Sequence, residues 1–327
     1  MSGKERLKEI LAPIEPHLAE VERLVMQNLE TDIPLLTQVG QHILLAGGKR
    51  IRPAMLLFAA GAVGKITPEA YLAANLVEYI HTATLLHDDV VDHADLRRSK
   101  KSARSIWGNE ASVLVGDYLF TVSFQHLANL GRMDLVEALA RCTTLMARGE
   151  ILQLVRSNET ATEAEYLEIV FHKTASLMGV AMQMGALIAG AEAELAQRFY
   201  ACGKAIGMAF QLVDDALDYQ VDSQATGKEQ GTDLKERKVT LPLSHLLEQA
   251  GAEVRKEVVA ILEAPEITPG HMARVVELMR QYGSVEYTRQ RAEGFIEQAL
   301  ALLSPLAQNP CTRSMADLAR FVVARDR

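Results

Sequence analysis

Aromatic residues are scarce in this chain, at 5% of 327 residues. Sheet architectures lean on aromatic and β-branched side chains, whereas the abundant Ala and Leu here favour helix. Cysteine is nearly absent: Cys142, Cys202 and Cys311 are odd in number and lack C-x-x-C spacing. That argues against a disulfide framework and a thiolate zinc site, and for a reducing compartment. Basic excess is missing as well. The 34 Lys and Arg face 42 Asp and Glu, a net charge of −8, which argues against a nucleic-acid partner. No apolar run is long enough to span a bilayer; the longest, Gly179–Gly190, carries Gln183 and reads as a buried helix. The first residues, MSGKERLKEI, are charged and lack the apolar centre of a signal peptide. A cytoplasmic location is the expectation.

What is present is a globular composition, 49% hydrophobic and 23% charged. The ten prolines fall in two groups, Pro13–Pro68 and Pro242–Pro310, with none from Glu69 to Leu241. A proline-free stretch rich in Ala, Leu, Met and Glu suits a succession of long helices. No repeat, Ser/Gly-rich linker or sustained alternation interrupts it. The expectation is one all-α domain over residues 1–327, with a long polar loop at Asp222–Lys238 and a break at Ala264–Gly270.

Two segments carry chemistry. Leu85–Asp92 (LLHDDVVD) and Phe210–Asp218 (FQLVDDALD) each contain D-D-x-x-D within apolar helical sequence. Residues four apart share a helix face, so Asp88 projects with Asp92 and Asp214 with Asp218. Like charges so placed are unfavourable on their own, and two such pairs suggest a cation between them. An oxygen-only donor set suits Mg²⁺, which binds through few carboxylates plus phosphate oxygens and water. The bland alternative, two solvated acidic turns, accounts poorly for the repeat of the pattern.

Basic groups flank both segments. Ala46–Pro53 (AGGKRIRP) joins two helices; Pro53 suits a first helical position, and free N–H groups with Lys49 and Arg52 would make an anion site. Arg97 and Arg98 follow the first acidic segment and could bind phosphate bidentately. Lys173 interrupts an apolar helix, and Lys228, Arg237 and Lys238 follow the second acidic segment. Each alone reads more simply as a solvated or snorkelling charge. Together they suit an enzyme that activates a diphosphate with Mg²⁺ and binds a second polyanion nearby.

The ordered segments GGKRIRP, LLHDDVVDHADLRR, VLVGDYLF, FHKTASL, FQLVDDALDY and GKEQGTDLKERKVTLP, from Gly47 to Pro242, resemble the trans-isoprenyl diphosphate synthases, most of all the long-chain octaprenyl subgroup. The resemblance implies a single large helical bundle of the isoprenoid synthase type around a central cavity. It implies metal ligands at Asp88, Asp92 and Asp214, with Asp89 supporting the first and Asp215 and Asp218 beside the last. Lys49, Arg52, His81 and Arg98 match a pocket for isopentenyl diphosphate. Arg97, Lys173, Thr174, Gln211 and Lys228 match contacts to the allylic diphosphate, with Lys238 a weaker match. Asp88, Asp89, Asp92, Arg97, Lys173, Asp214 and Asp215 are the implied catalytic set. The implied chemistry is sequential condensation: the allylic C–O bond ionises, the isopentenyl alkene attacks and a proton leaves, with the released diphosphate as acceptor. A homodimer, with the Gly116–Asp117 helix near its interface, and peripheral membrane contact for product release are also implied.

Ala83 and Thr84, upstream of Asp88, are small, and the resemblance implies that a bulky aromatic there stops elongation early. The expected product is therefore long, of octaprenyl type for quinone side chains, from a primer such as farnesyl diphosphate. A shorter-chain geranylgeranyl or farnesyl synthase is the alternative. A class I terpene cyclase is disfavoured by Asp214–Asp215 and GGKRIRP. A His-Asp phosphohydrolase would need several His ligands, and a regulatory subunit would have eroded aspartates.

Overall fold

The computed structural model describes residues 3–29, 31–44, 47–97, 100–156, 162–220 and 231–325. The described chain is almost wholly helical. Its helices are α1 (Gly3–Leu11), α2 (Glu15–Asn28), α3 (Pro34–Leu44), α4 (Ile51–Val63), α5 (Pro68–Val91), α6 (Ala103–Asn129), α7 (Met133–Arg156), α8 (Glu163–Val170), α9 (Ser176–Ile188), α10 (Ala193–Asp218), α11 (Thr232–Lys235), α12 (Leu241–Gln249), α13 (Ala252–Glu263), α14 (Pro269–Gln281), α15 (Ser284–Leu303) and α16 (Pro310–Ala324). A 3₁₀ turn, Ala12–Ile14, precedes α2, and a π-helical turn, Phe171–Ala175, joins α8 to α9. The two strands, β1 (Leu96–Arg97) and β2 (Lys100–Lys101), form an antiparallel hairpin.

The proline-free stretch holds α5, α6, α7 and α10, which at 24–27 residues are the longest of the described helices. Helix ends carry local signals. Pro68 opens α5, Ser102 accepts from the Ser105 N–H ahead of α6, and Thr162 and Glu165 close a capping box at α8. Proline returns at the starts of α12, α14 and α16.

The chain divides into two compact units. The first comprises residues 1–143, 177–203 and 305–315. Its centre is α5, which packs against α2, α4 and α6 and buries Leu76, Val77, Tyr79, Ile80, Ala83 and Leu86. Helix α4 is buried from Pro53 to Ala60. A helix apolar on every face can only be a core helix. The second unit comprises residues 144–176, 204–304 and 316–327. Tyr219, Leu234, Leu243, Leu246, Val258, Val275, Leu278 and Met279 form its apolar cluster. Part of the expected polar loop joins that cluster: Thr232–Lys235 is a helical turn with Leu234 fully buried.

The three cysteines are free and buried; burial pushes the Cys202 thiol up to about 12. Among the described residues no helix is long and apolar enough to cross a membrane.

Candidate active site

In the first unit, α5 ends on its acidic turn. The Asp92 N–H caps the helix by donating to the Asp88 carbonyl at 2.8 Å. Asp88 and Asp92 are thus one turn apart at the negative end of the helix dipole, where each carboxylate costs about 0.3–1 kcal/mol. Asp92 is exposed and Asp88 half-buried. Asp89 points inward and is fully buried. Burial raises its carboxyl group and Arg97 opposes the rise. Arg97 donates to Asp89 Oδ1 from Nε at 2.8 Å and sits 2.6 Å from it through Nη2. The turn at His93 (φ 52°) and the β1–β2 hairpin bring Arg97 back onto Asp89. Arg98 lies outside the described residues.

The same turn is pinned from α6. The His87 ring stacks on Phe120 with centroids 6.0 Å apart and donates to the Val113 carbonyl at 3.2 Å. It fits only because residue 116 is glycine: a Cβ there would lie 2.2 Å from His87 Nε2.

The basic turn precedes α4. That helix starts at Ile51, so Pro53 is its third residue and not its first, as the sequence reading had it. Proline is tolerated there because first-turn N–H groups have no partner within the helix. Lys49 and Arg52 flank Arg50, whose backbone is left-handed. Farther along, α5 carries half-buried His81 and fully buried Ala83, while Thr84 donates to the His81 carbonyl at 2.8 Å.

In the second unit, the π-turn displays Lys173 and Thr174. Such widened turns recur at functional sites because they re-aim side chains within a helix. Gly149 of α7 gives the turn its room: a Cβ there would lie 2.7 Å from His172 Cβ and 3.1 Å from the Lys173 backbone nitrogen. Lys173 Nζ donates to Gln153 at 2.8 Å and pairs with Glu150 at 2.8 Å, both on α7. Thr174 donates to Gln211 at 3.0 Å, and Gln211 donates to Asp215 at 2.8 Å. Tyr166 completes the chain with a 2.5 Å bond to Asp215 Oδ2. Asp215 is buried, and that burial pushes its carboxyl well above the usual carboxylate range against the pull of the Tyr166 and Gln211 hydrogen bonds.

Asp214, one residue earlier, is more open, and its carboxylate pairs with Arg325 at 2.7 Å. Arg325 is itself nearly buried; it stacks on Phe210 at 4.1 Å and donates to the Phe210 carbonyl at 2.8 Å. Asp218 closes α10 and collects the following segment: its carbonyl accepts from Gly231 at 2.9 Å and its carboxylate from the Asp233 N–H at 3.0 Å. Lys228 lies outside the described residues, and Lys238 pairs with Glu236 at 2.6 Å.

Both acidic motifs therefore split in the same way. The middle aspartate is buried against protein partners, and the first and last are more open, although in the second motif Asp214 also pairs with Arg325 and Asp218 also accepts from the Asp233 N–H. Among the described residues no three His, Cys, Asp or Glu gather into a metal cage. The donors come as pairs, Asp88 with Asp92 and Asp214 with Asp218. Paired hard oxygens suit Mg²⁺, whose remaining positions go to water and phosphate oxygens.

The structure links Thr174, Gln211 and Asp215 in one chain of hydrogen bonds and joins Arg97 to Asp89. It pairs Lys173 with α7 and not with an aspartate. Sequence reasoning missed Tyr166, Gly149, Glu150, Gln153 and Arg325. Gly149-Glu150-x-x-Gln153, two polar residues three apart after a mid-helix glycine, was the one legible signal among them.

The polyprenyl synthetase family model matches residues 33–279. The chain is 39% identical over 325 residues to octaprenyl diphosphate synthase of Escherichia coli, covering 99% of each. It superposes on a decaprenyl diphosphate synthase from Rhodobacter capsulatus with a TM-score of 0.93 at 37% identity, over 98% of this chain and 99% of that one. A polyprenyl synthase from Caulobacter crescentus, complexed with calcium and isoprenyl diphosphate, matches with a TM-score of 0.91 at 37% identity, over 98% of each chain.

Proposed function

The chain belongs to the polyprenyl synthetase family and is a prenyltransferase, and from that premise we propose that it is a long-chain trans-polyprenyl diphosphate synthase working as one catalytic domain. Its reaction is the repeated condensation of isopentenyl diphosphate with an allylic primer of farnesyl size to an octaprenyl-type product, used for quinone side chains. The observation that carries the long product is Ala83 with Thr84 ahead of Asp88: no aromatic ring stands at these two positions. The likeness to octaprenyl and decaprenyl synthases supports the same range.

Asp88, Asp92 and Asp214 would hold Mg²⁺. Bound there, the metal would neutralise charge on the departing diphosphate. The protein's own groups do the rest. Arg97, Lys173, Thr174, Gln211 and Lys228 would contact the allylic diphosphate. Asp89 orients Arg97, and Glu150 with Gln153 orients Lys173. Lys49, Arg52, His81 and Arg98 bind isopentenyl diphosphate. Fixed donors aimed at a developing charge need no reorganisation during the reaction, which is the main source of such catalysis.

The enzyme acts as a homodimer through the outer face of α6, where Ile106, Val113 and Leu114 are exposed at 44%, 38% and 65%. Its setting is the cytoplasm, which the free, buried thiols suit, with peripheral membrane contact during product release.

Incubation with labelled isopentenyl diphosphate, farnesyl diphosphate and Mg²⁺, followed by chromatography of the dephosphorylated products by length, tests this reading. A ladder ending near the octaprenyl stage is expected. Termination at the farnesyl or geranylgeranyl stage would overturn the long-chain assignment, and a cyclised hydrocarbon would overturn the condensation itself.

A further inference from the structure

The turn ahead of α4 is held by a residue outside the expected site. Arg50 adopts φ 48° and ψ 35° as the N-cap of α4. A long side chain rarely occupies this left-handed region, and it persists only where the surroundings over-determine it. Here they do. The guanidinium donates to Glu78 Oε1 at 2.7 Å and to the Leu44 carbonyl at 2.8 Å, and lies 3.7 Å from Glu22 Oε1. The Arg50 carbonyl in turn accepts from the Ala54 N–H at 3.0 Å, the first bond of α4. One side chain thus ties the end of α3, the middle of α5 and the side of α2 to this turn. Arg50 and Glu78 are only 17% and 11% exposed, so their pairing is largely removed from solvent.

We propose that Arg50 and Glu78 are positioning residues for isopentenyl diphosphate, their buried ion pair fixing the turn that presents Lys49 and Arg52 and registering it against His81. This rests on the assignment of those three residues to that pocket. Lys49 precedes Arg50, and Arg52 follows two residues later, so the backbone angles at Arg50 set the directions of both. Glu78 is three residues before His81, less than one turn away on α5. A long, flexible Lys could reach a diphosphate from many backbones. A fixed turn spares it that search and keeps its relation to Arg52 and His81 constant.

A purely structural ion pair would behave differently. Breaking a buried pair leaves one charge uncompensated and lowers stability wherever the pair sits. It would then weaken use of both substrates together, or of neither.

The test is steady-state kinetics of the full-length enzyme with each substrate varied in turn, beside a melting curve. The variants are Glu78→Gln, Arg50→Gly and Arg50→Ala, with Lys49→Ala as the reference for the pocket. Glu78→Gln should raise KM for isopentenyl diphosphate by about tenfold or more, the scale of a sub-ångström misplacement, with a much smaller change in KM for the allylic primer. Arg50→Gly should fall between Arg50→Ala and wild type, because glycine takes the left-handed turn without strain. If Glu78→Gln does not fold, the ordering of the two Arg50 variants carries the test. An unchanged isopentenyl KM in folded Glu78→Gln, beside a raised one in Lys49→Ala, overturns this inference and leaves the pocket standing. Equal losses for both substrates, or Arg50→Gly no better than Arg50→Ala, also overturn it. If Lys49→Ala itself leaves that KM unchanged, the pocket assignment falls and the inference with it.

Discussion

Gly149→Ala adds one methyl group to α7 at the point where that helix meets the π-turn. The new carbon would lie 2.7 Å from His172 Cβ, 2.9 Å from Lys173 Cγ and 3.1 Å from the Lys173 backbone nitrogen. Carbon pairs are most favourable at about 3.5–4.0 Å, so relief needs a shift of roughly 1 Å. Lys173 Cγ can rotate away. His172 Cβ and the Lys173 nitrogen cannot, because they belong to or adjoin the backbone, and the turn itself must move. Overpacking of this kind costs about 1–3 kcal/mol, and the better helix propensity of Ala returns up to about 1 kcal/mol. The melting temperature should therefore fall by only a few degrees. The effect on the reaction should be larger. Lys173 is anchored to Glu150 and Gln153 at 2.8 Å each, and a 1 Å misplacement of a positioned group can cost about 10²-fold. The assay is kcat/KM with the allylic diphosphate varied, with thermal unfolding measured on the same preparation. A loss of about two orders of magnitude with a small change in stability is expected. A folded variant with wild-type kcat/KM would refute the idea that the π-turn sets the position of Lys173.

Asp88→Ala and Asp214→Ala should each lower turnover by about 10²-fold or more at saturating Mg²⁺; Asp88→Ala should leave the melting temperature nearly unchanged, whereas Asp214→Ala should lower it because the nearly buried Arg325 loses its partner, and a near wild-type rate in either folded variant would sink the metal assignment. Ala83→Tyr should shorten the product toward the farnesyl or geranylgeranyl stage, because residue 83 is about 7.5 Å along α5 from Asp88, little more than one isoprene unit. Long product from a folded Ala83→Tyr enzyme would show that the growing tail does not pass Ala83. Leu114→Glu, in the exposed apolar face of α6, should convert a dimer to monomers in analytical ultracentrifugation, and an unchanged sedimentation profile would remove that face from the interface.

The fold class was legible because it depends on local signals. The proline gap from Glu69 to Leu241 and the Ala- and Leu-rich composition act within single helices, and long helices are what the stretch forms. Boundaries were less legible. Helix α4 begins two residues before Pro53 because Arg50 caps it in a conformation that only distant partners can hold. The polar stretch before Thr240 gave no hint that Leu234 is fully buried, since one apolar residue among charges signals burial only when the surface it meets is known. The β1–β2 hairpin is two residues a side, too short for an alternation to show.

The acidic motifs could be read in part for the same reason. That Asp88 and Asp92 share a face follows from helix geometry alone. That Asp89 and Asp215 turn inward does not, because each is held by residues that are not its helical neighbours: Arg97 across a hairpin, Tyr166 from a separate helix. Charge count treats the three aspartates of a motif as equivalent, and packing separates them. A buried carboxylate held by protein donors cannot also serve a metal without losing those bonds. The outer ones are less enclosed; in the second motif Asp214 shares its carboxylate with Arg325 and Asp218 with the Asp233 N–H, and a cation bound there would relieve the repulsion between neighbours one turn apart. Asparagine at the outer positions should thus weaken metal binding while relieving that repulsion. At Asp89 it removes the charge opposing Arg97, so its defect should follow the positioning of Arg97 and persist at any Mg²⁺ concentration. Saturation by Mg²⁺ consequently separates the two classes of aspartate: an Asp89→Asn defect that added metal fully restores would place Asp89 among the ligands instead.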